Sequence, residues 1–146
     1  MTGGCLCGAV RFTLKERPKQ IDVCHCSMCR KFSGGIELGL DVDPDSIVWE
    51  GTDHIQVYAS SQWAERSFCR KCGSGLFWQT RAVSGDGAPL FGLCAGAVDD
   101  LGDLELKTEI YIDQKPDGYA FAGSTEKKTK AEVEAEYARP KDGVWT

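Results

Sequence analysis

Hydrophobic and polar residues alternate along much of the chain. Val10, Phe12 and Leu14 alternate with Arg11 and Thr13, Ile55, Val57 and Ala59 repeat the period, and Leu76 and Trp78 begin a third stretch. A period of two is the signature of a strand with one buried face. Ile47-Val48-Trp49, Gly35 to Leu40, Leu90 to Cys94 and Glu109 to Ile112 are further strand candidates. Turn-forming clusters fall between them: Asp43-Pro44-Asp45, Glu50-Gly51-Thr52-Asp53, Ser84-Gly85-Asp86-Gly87, Asp99 to Asp103 and Lys115-Pro116-Asp117-Gly118. Short strands about ten residues apart, divided by such turns, predict an all-β domain.

The tail breaks this pattern. Thr129-Lys130-Ala131-Glu132 has the capping-box spacing, and Val133 and Tyr137 lie four apart on one helical face. A helix of about eight residues is predicted, ending near Ala138 and before Pro140. Its apolar face is thin, so it either docks lightly on the domain or packs on a partner, such as a second copy of the chain. The run Lys127-Lys128-Thr129-Lys130 reads as a solvated helix entry.

Composition sharpens the picture only in places. The chain has 146 residues, of which 42% are hydrophobic and 27% charged, so a single globular domain is expected. Seventeen basic against 22 acidic residues give a net charge of −5, which disfavours a nucleic-acid partner. No apolar run approaches the ~20 residues of a membrane span. Met1-Thr2-Gly3-Gly4-Cys5 lacks a basic start followed by an apolar stretch, so no secretory leader is expected.

Cysteine is the quantity that needs chemistry: there are 8, beside only 2 histidines. Cys5 and Cys7 form CxC, Cys24, Cys26 and Cys29 form CxCxxC, and Cys69 and Cys72 form CxxC followed by Gly73. Clusters this tight can wrap one ion, whereas their members are poorly placed to bridge distant segments as disulfides. In a reducing, cytoplasmic setting they read as metal ligands. Seven ligands divide as four and three, matching a closed structural zinc and a catalytic zinc with one open position. Cys69-Arg70-Lys71-Cys72-Gly73 is a zinc knuckle, and Cys5-Leu6-Cys7-Gly8 is the free pair with its own turn glycine. Cys24, Cys26 and Cys29 remain as the three-thiolate site, so two Zn²⁺ per chain are expected.

The eighth, Cys94, stands alone in Leu90-Phe91-Gly92-Leu93-Cys94. It is either a buried free thiol acting as a small hydrophobe or a fourth ligand that closes the triplet. His25 lies between two ligand cysteines; in an extended stretch it faces the other side, and a structural hydrogen bond is preferred to ligation. His54 reads as a turn or strand-edge residue. No short-range carboxylate partner is expected for either histidine.

With those clusters in place, the sequence resembles the glutathione-dependent formaldehyde-activating enzyme family, also named after centromere protein V. The matching segments are Gly4-Cys5-Leu6-Cys7-Gly8-Ala9-Val10, Cys24-His25-Cys26-Ser27-Met28-Cys29-Arg30-Lys31 and Arg66-Ser67-Phe68-Cys69-Arg70-Lys71-Cys72-Gly73-Ser74. A weaker match continues through Gly96-Ala97-Val98-Asp99-Asp100. The resemblance implies a β-tent fold of twisted antiparallel sheets. It also implies a structural zinc on Cys5, Cys7, Cys69 and Cys72, and a catalytic one on Cys24, Cys26 and Cys29. Residues 1–123 then form the zinc-binding domain, and residues 124–146 its helical tail. Beyond Tyr111-Ile112-Asp113 the family's usual Trp-containing segment is replaced by Pro116-Asp117-Gly118-Tyr119 and a charged helix.

The implied activity is that of a carbon–sulfur lyase joining a small thiol such as glutathione to an aldehyde such as formaldehyde. Three thiolates make zinc a weak Lewis acid but a good acceptor for a fourth sulfur. Arg30 is the expected partner of a substrate carboxylate, with Lys31, Arg66, Arg70 and Lys71 as weaker candidates. The alternatives are a rigid protein-binding module with two closed zinc sites, and a zinc enzyme acting on another small electrophile.

Overall fold

The computed structural model describes residues 1–81 and 90–137, and they form an all-β structure with two short helices. The predicted turn at Ser84 to Gly87 and the helix stop before Pro140 lie outside the described residues.

A small sheet holds β1 (Thr2–Gly4), β2 (Arg11–Leu14) and β5 (Ile47–Glu50), all antiparallel. The large sheet adds β3 (Ile21–Cys24), β4 (Glu37–Asp41), β6 (Ile55–Ala59), β7 (Ala64–Cys69), β8 (Gly75–Thr80), β9 (Phe91–Cys94), β10 (Leu106–Ile110) and β11 (Glu126–Lys128). Its order is β11-β10-β3-β4-β9-β8-β7-β6. Neighbours from β3 to β6 run antiparallel, while β10 runs parallel to both β3 and β11.

The alternation that predicted the strands also builds the core. Phe12, Leu14 and Ile47 of the small sheet pack on Ile21, Leu40 and Leu93 of the large one. Trp49 carries the contact onward: its ring lies 5.2 Å from Phe12 and 5.5 Å from Phe77, which stacks on Phe91 at 5.0 Å. Offset and edge-on geometries at these distances add to the gain from apolar burial. Five expectations need adjustment. β6 alternates as predicted, yet Val57 is 44% exposed because β6 is an edge strand with no layer over it. β1, β3, β7 and β11 were not expected as strands.

The tail docks on its own domain. α2 (Lys130–Glu136) is capped as predicted: the Glu132 amide donates to Thr129 Oγ1 and the Thr129 amide donates to Glu132 Oε2. Val133 is buried. Ahead of the helix, β11 completes the sheet edge beside β10. Glu109 of β10 is buried at that seam, where Thr125 Oγ1 donates to Oε1 at 2.5 Å and His25 Nε2 lies 2.8 Å from Oε2. Burial pushes the Glu109 carboxyl up, but the Thr125 and His25 hydrogen bonds and the nearby Lys127 outweigh it, leaving it below the usual value.

A carboxyl held low in the native state stabilises above its unfolded pKa and loses that advantage as pH falls through the native value. Glu109→Gln should therefore be less stable than wild type near pH 7 by about 1–3 kcal/mol. The gap should close below about pH 4. Urea melts across that range measure it; a gap that widened on acidification would contradict the assignment.

Candidate metal centres

The first cluster is made by two turns facing each other. β1 delivers Cys5, and the chain then turns at Gly8, whose φ of 75° suits a residue without Cβ. β7 delivers Cys69, and Gly73 turns with a φ of 78° while its amide donates to the Cys69 carbonyl. The Sγ atoms of Cys5, Cys7, Cys69 and Cys72 all lie within 4.8 Å of one another. Cys5 to Cys7 is 3.6 Å and Cys7 to Cys69 is 3.8 Å. Four sulfurs at Zn–S bond length sit about 3.8 Å apart at the corners of a tetrahedron, so this set fits zinc. The Val10 amide donates to Cys5 Sγ at 3.2 Å, and Ser74 Oγ lies 3.2 Å from Cys72 Sγ. Such contacts favour thiolate, and hydrogen bonds from Ser74 hold the Cys72 thiol down to about 5.

The second cluster joins a strand end to a helix start. Cys24 closes β3, Cys26 caps α1 (Ser27–Ser33), and Cys29 is buried within it. The Cys29 amide donates to Cys26 Sγ at 3.3 Å, so sulfur serves as the helix cap. Their three Sγ atoms also lie within 4.8 Å of one another. Hydrogen bonds from the Cys24 and Cys29 thiols draw Cys26 down to about 2. Cys24 lowers Cys29 as well, but the Cys26 thiolate and burial carry it up to about 12. The donor set thus keeps one thiolate by itself and needs a cation to keep three.

Register places further groups around this triplet. Cys24 pairs with Glu37, Gly39 pairs with Cys94, and Arg66 pairs with Trp78, which pairs with Gly92. Directly paired residues share a face, and so do residues two apart. Cys24, Glu37, Cys94 and Arg66 therefore lie on one face of the large sheet, opposite the face of Val23, Leu40 and Leu93 that forms the core.

Arg66 is 5% exposed, and its Nη2 donates to Cys29 Sγ at 3.2 Å. Its Nη1 donates to Ser60 Oγ and Met28 Sδ, and the guanidinium lies 5.8 Å from the Phe32 ring centre. Predicted as a weak substrate contact beside the knuckle, Arg66 instead places a buried positive charge at the triplet. Arg30 is half-buried on α1 and donates from Nη1 to the Gln114 carbonyl at 3.2 Å. Lys31, Arg70 and Lys71 are exposed.

Cys94 stands outside the triplet's set of ligand atoms. It is half-buried, and its thiol donates to Glu37 Oε1 at 3.4 Å. Burial first, and then the Glu37 charge, push this thiol well above its ordinary value. Burial raises Glu37 as well. His25 turns to the core side, as alternation predicted, but its partner there is a carboxylate, Glu109, with Tyr119 Oη 3.4 Å from Nδ1. No local sequence signal marks Glu37, Glu109, Tyr119 or Gln114, because each meets the triplet's segment only through tertiary pairing. A cleft of about 860 Å³ runs beside the centres, lined by Leu6, Phe32, Glu37, Phe68, Gly75 and Cys94 among others.

Among the described residues no helix is long and apolar enough to cross a membrane. Over 132 residues the chain is 33% identical to an uncharacterized lyase of Schizosaccharomyces pombe, covering 90% of this chain and 92% of that protein. It is 36% identical over 85 residues to a Halomonas elongata protein provisionally named a glutathione-dependent formaldehyde-activating enzyme, covering 53% of this chain and 54% of that one. A solved Rhodobacter sphaeroides protein aligns at 24% identity with a TM-score of 0.48, over 73% of this chain and 100% of that one. The pattern of the glutathione-dependent formaldehyde-activating enzymes matches residues 1–114, which includes all seven clustered cysteines, and the chain belongs to that family.

Proposed function

We propose that this chain is a zinc-dependent carbon–sulfur lyase that adds a small thiol, glutathione or a close relative, reversibly to an aldehyde such as formaldehyde. The observation that carries this reading is the contrast between the two clusters: one gathers four sulfurs, the other three. Among the described residues no further Cys, His, Asp or Glu atom joins the three, and the nearest spare thiol, Cys94, is turned to Glu37. The name of the yeast relative, a lyase, supports the reaction class, and the name of the bacterial relative supports the thiol and the aldehyde.

Zinc held by Cys24, Cys26 and Cys29 would accept a substrate sulfur as thiolate at about neutral pH. The chain's own residues prepare the rest. One divalent cation against three thiolates leaves a charge of −1, which the buried Arg66 offsets at Cys29. Arg66 thereby limits the repulsion that an incoming thiolate would meet. Arg30 has one nitrogen committed to Gln114, and its other guanidinium donors are proposed to receive a substrate carboxylate. The adjoining cleft, about 860 Å³, has room for a tripeptide-sized thiol. Cys5, Cys7, Cys69 and Cys72 are proposed to hold a second zinc whose role is structural. Free thiols in this number fit a reducing compartment, and the cytoplasm is the proposed location.

Protein purified without chelator should carry two zinc ions, read by elemental analysis. Cys69→Ser should lose the structural ion and much of the folded population, because structural zinc contributes folding free energy outright. Cys26→Ser should stay folded and lose catalysis. Thermal melts that ranked the two variants in the reverse order would exchange the roles of the centres.

Cys94→Ala should keep both ions, at a cavity cost of roughly 1–2 kcal/mol. Loss of one zinc from this variant would mean that Cys94 closes the triplet. Activity is tested by NMR exchange between glutathione, formaldehyde and their hemithioacetal. Wild type should accelerate exchange and Cys26→Ser should not; equal rates over several thiols and aldehydes would remove the lyase reading.

A further inference from the structure

We infer that Glu37 is the group that meets the substrate's oxygen: it accepts a hydrogen bond from the hydroxyl of the thiol–aldehyde adduct and exchanges that proton during bond making and breaking. This rests on the lyase reading above.

The placement follows from strand register. Glu37 is paired with Cys24 across β3 and β4, so its side chain leaves the sheet on the same face as that sulfur. The same carboxylate lines the cleft, together with Phe32 one turn after Cys29 and Phe68 two residues after Arg66. Glu37 thus belongs both to the edge of the triplet and to the wall of the 860 Å³ cleft. Glu37 is the cleft-lining residue paired directly with a triplet cysteine, so it is placed to meet a molecule that has its sulfur at the triplet and its body in the cleft.

The hydrogen bonding is also incomplete. The one hydrogen bond that Glu37 receives among the described side chains is from the Cys94 thiol, at 3.4 Å to Oε1. A thiol is a weak donor, and a carboxylate can accept at about four positions. No lysine or arginine pairs with Glu37 among the described ion pairs, although Arg66 acts on it from a distance. A half-buried carboxylate of this kind is more than the scaffold needs, and Gly75 leaves space beside Cys94, where an added Cβ would already lie 3.5 Å from Sγ.

The chemistry balances without a further reactant. In breakdown, the adduct O–H bond breaks and its proton passes to Glu37. The oxygen lone pair forms C=O, and the C–S bonding pair leaves with sulfur as thiolate. In synthesis, the thiolate sulfur attacks the carbonyl carbon, the C=O π pair moves to oxygen, and oxygen takes the proton back from Glu37. General acid–base help of this kind is worth about 10²–10⁴-fold.

Two measurements on the zinc-loaded full chain test this. The first compares binding of 2-mercaptoethanol and 1-propanethiol, which differ by a hydroxyl in place of a methyl, by calorimetry. Wild type should prefer the hydroxyl thiol by about tenfold, the worth of a hydrogen bond to a charged acceptor. In Glu37→Leu that preference should vanish while 1-propanethiol binds as before. A preference that survives in Glu37→Leu overturns the contact. The second compares NMR exchange in Glu37→Gln with wild type: thiol affinity should persist while the exchange rate falls 100-fold or more. An unchanged rate overturns the proton transfer. Absence of exchange in wild type with the hydroxyl preference intact would sink the lyase reading and leave the hydroxyl contact supported.

Discussion

Everything in this fold is arranged round the cost of holding thiolates side by side. Seven sulfurs gathered to within 4.8 Å in two groups repel once ionised, and without a metal ion they are held apart in charge by protons and, at Cys29, by the Arg66 guanidinium. The triplet makes the point in its own acidities, with Cys26 drawn down to about 2 while Cys29 is carried up to about 12. A divalent ion would resolve the conflict in both groups. It would also tie together the segments that meet at the small cluster of Cys5, Val10, Cys69 and Leu76. The first centre pins the amino-terminal turn to the β7–β8 turn, more than sixty positions along the chain.

Much of this was legible in the sequence because ligand chemistry is local. The CxC, CxCxxC and CxxC spacings are short-range facts, and the two turn glycines beside them adopt the left-handed conformation that the knuckle reading requires. The capping box at Thr129 is equally local and forms as written. Strands with an apolar face, such as β2, β5 and β9, were visible for the same reason. β7 was not, because its buried positions are Ala64, Arg66, Ser67 and Cys69, and two of those are polar. An arginine in a strand reads as solvent-facing until a sulfur on a packed helix gives it a partner.

What stayed hidden was everything that depends on pairing. The parallel course of β10 between β3 and β11 brings Glu109 to His25 across 84 positions, and no pattern within either segment announces it. The Cys24–Glu37 and Gly39–Cys94 registers likewise exist only once β4 has found both neighbours. The replacement of the usual family segment after Asp113 was visible as a departure, but its consequence was not. In the structure Tyr119 and Gln114 from that stretch reach the back of the Cys24–Cys29 turn.

The two-residue period of a strand has a last consequence here. Cys24 and His25 are consecutive, so one side chain leaves each face of the large sheet. On the core face His25 meets Glu109, which Thr125 and Lys127 also hold, so the peptide between the two residues is anchored from within. On the other face Cys24 joins Cys26 and Cys29 under the charge of Arg66. A turn that carries three repelling sulfurs is thus fixed from its back by a hydrogen bond that none of them touches. The anchor residues come from β10 and from the tail, so a stretch beyond the matched family pattern of residues 1–114 still belongs to the architecture of the site. Its contribution is to hold a backbone in place, through the Thr125 hydroxyl, the Lys127 ammonium and the β11 edge that surround Glu109.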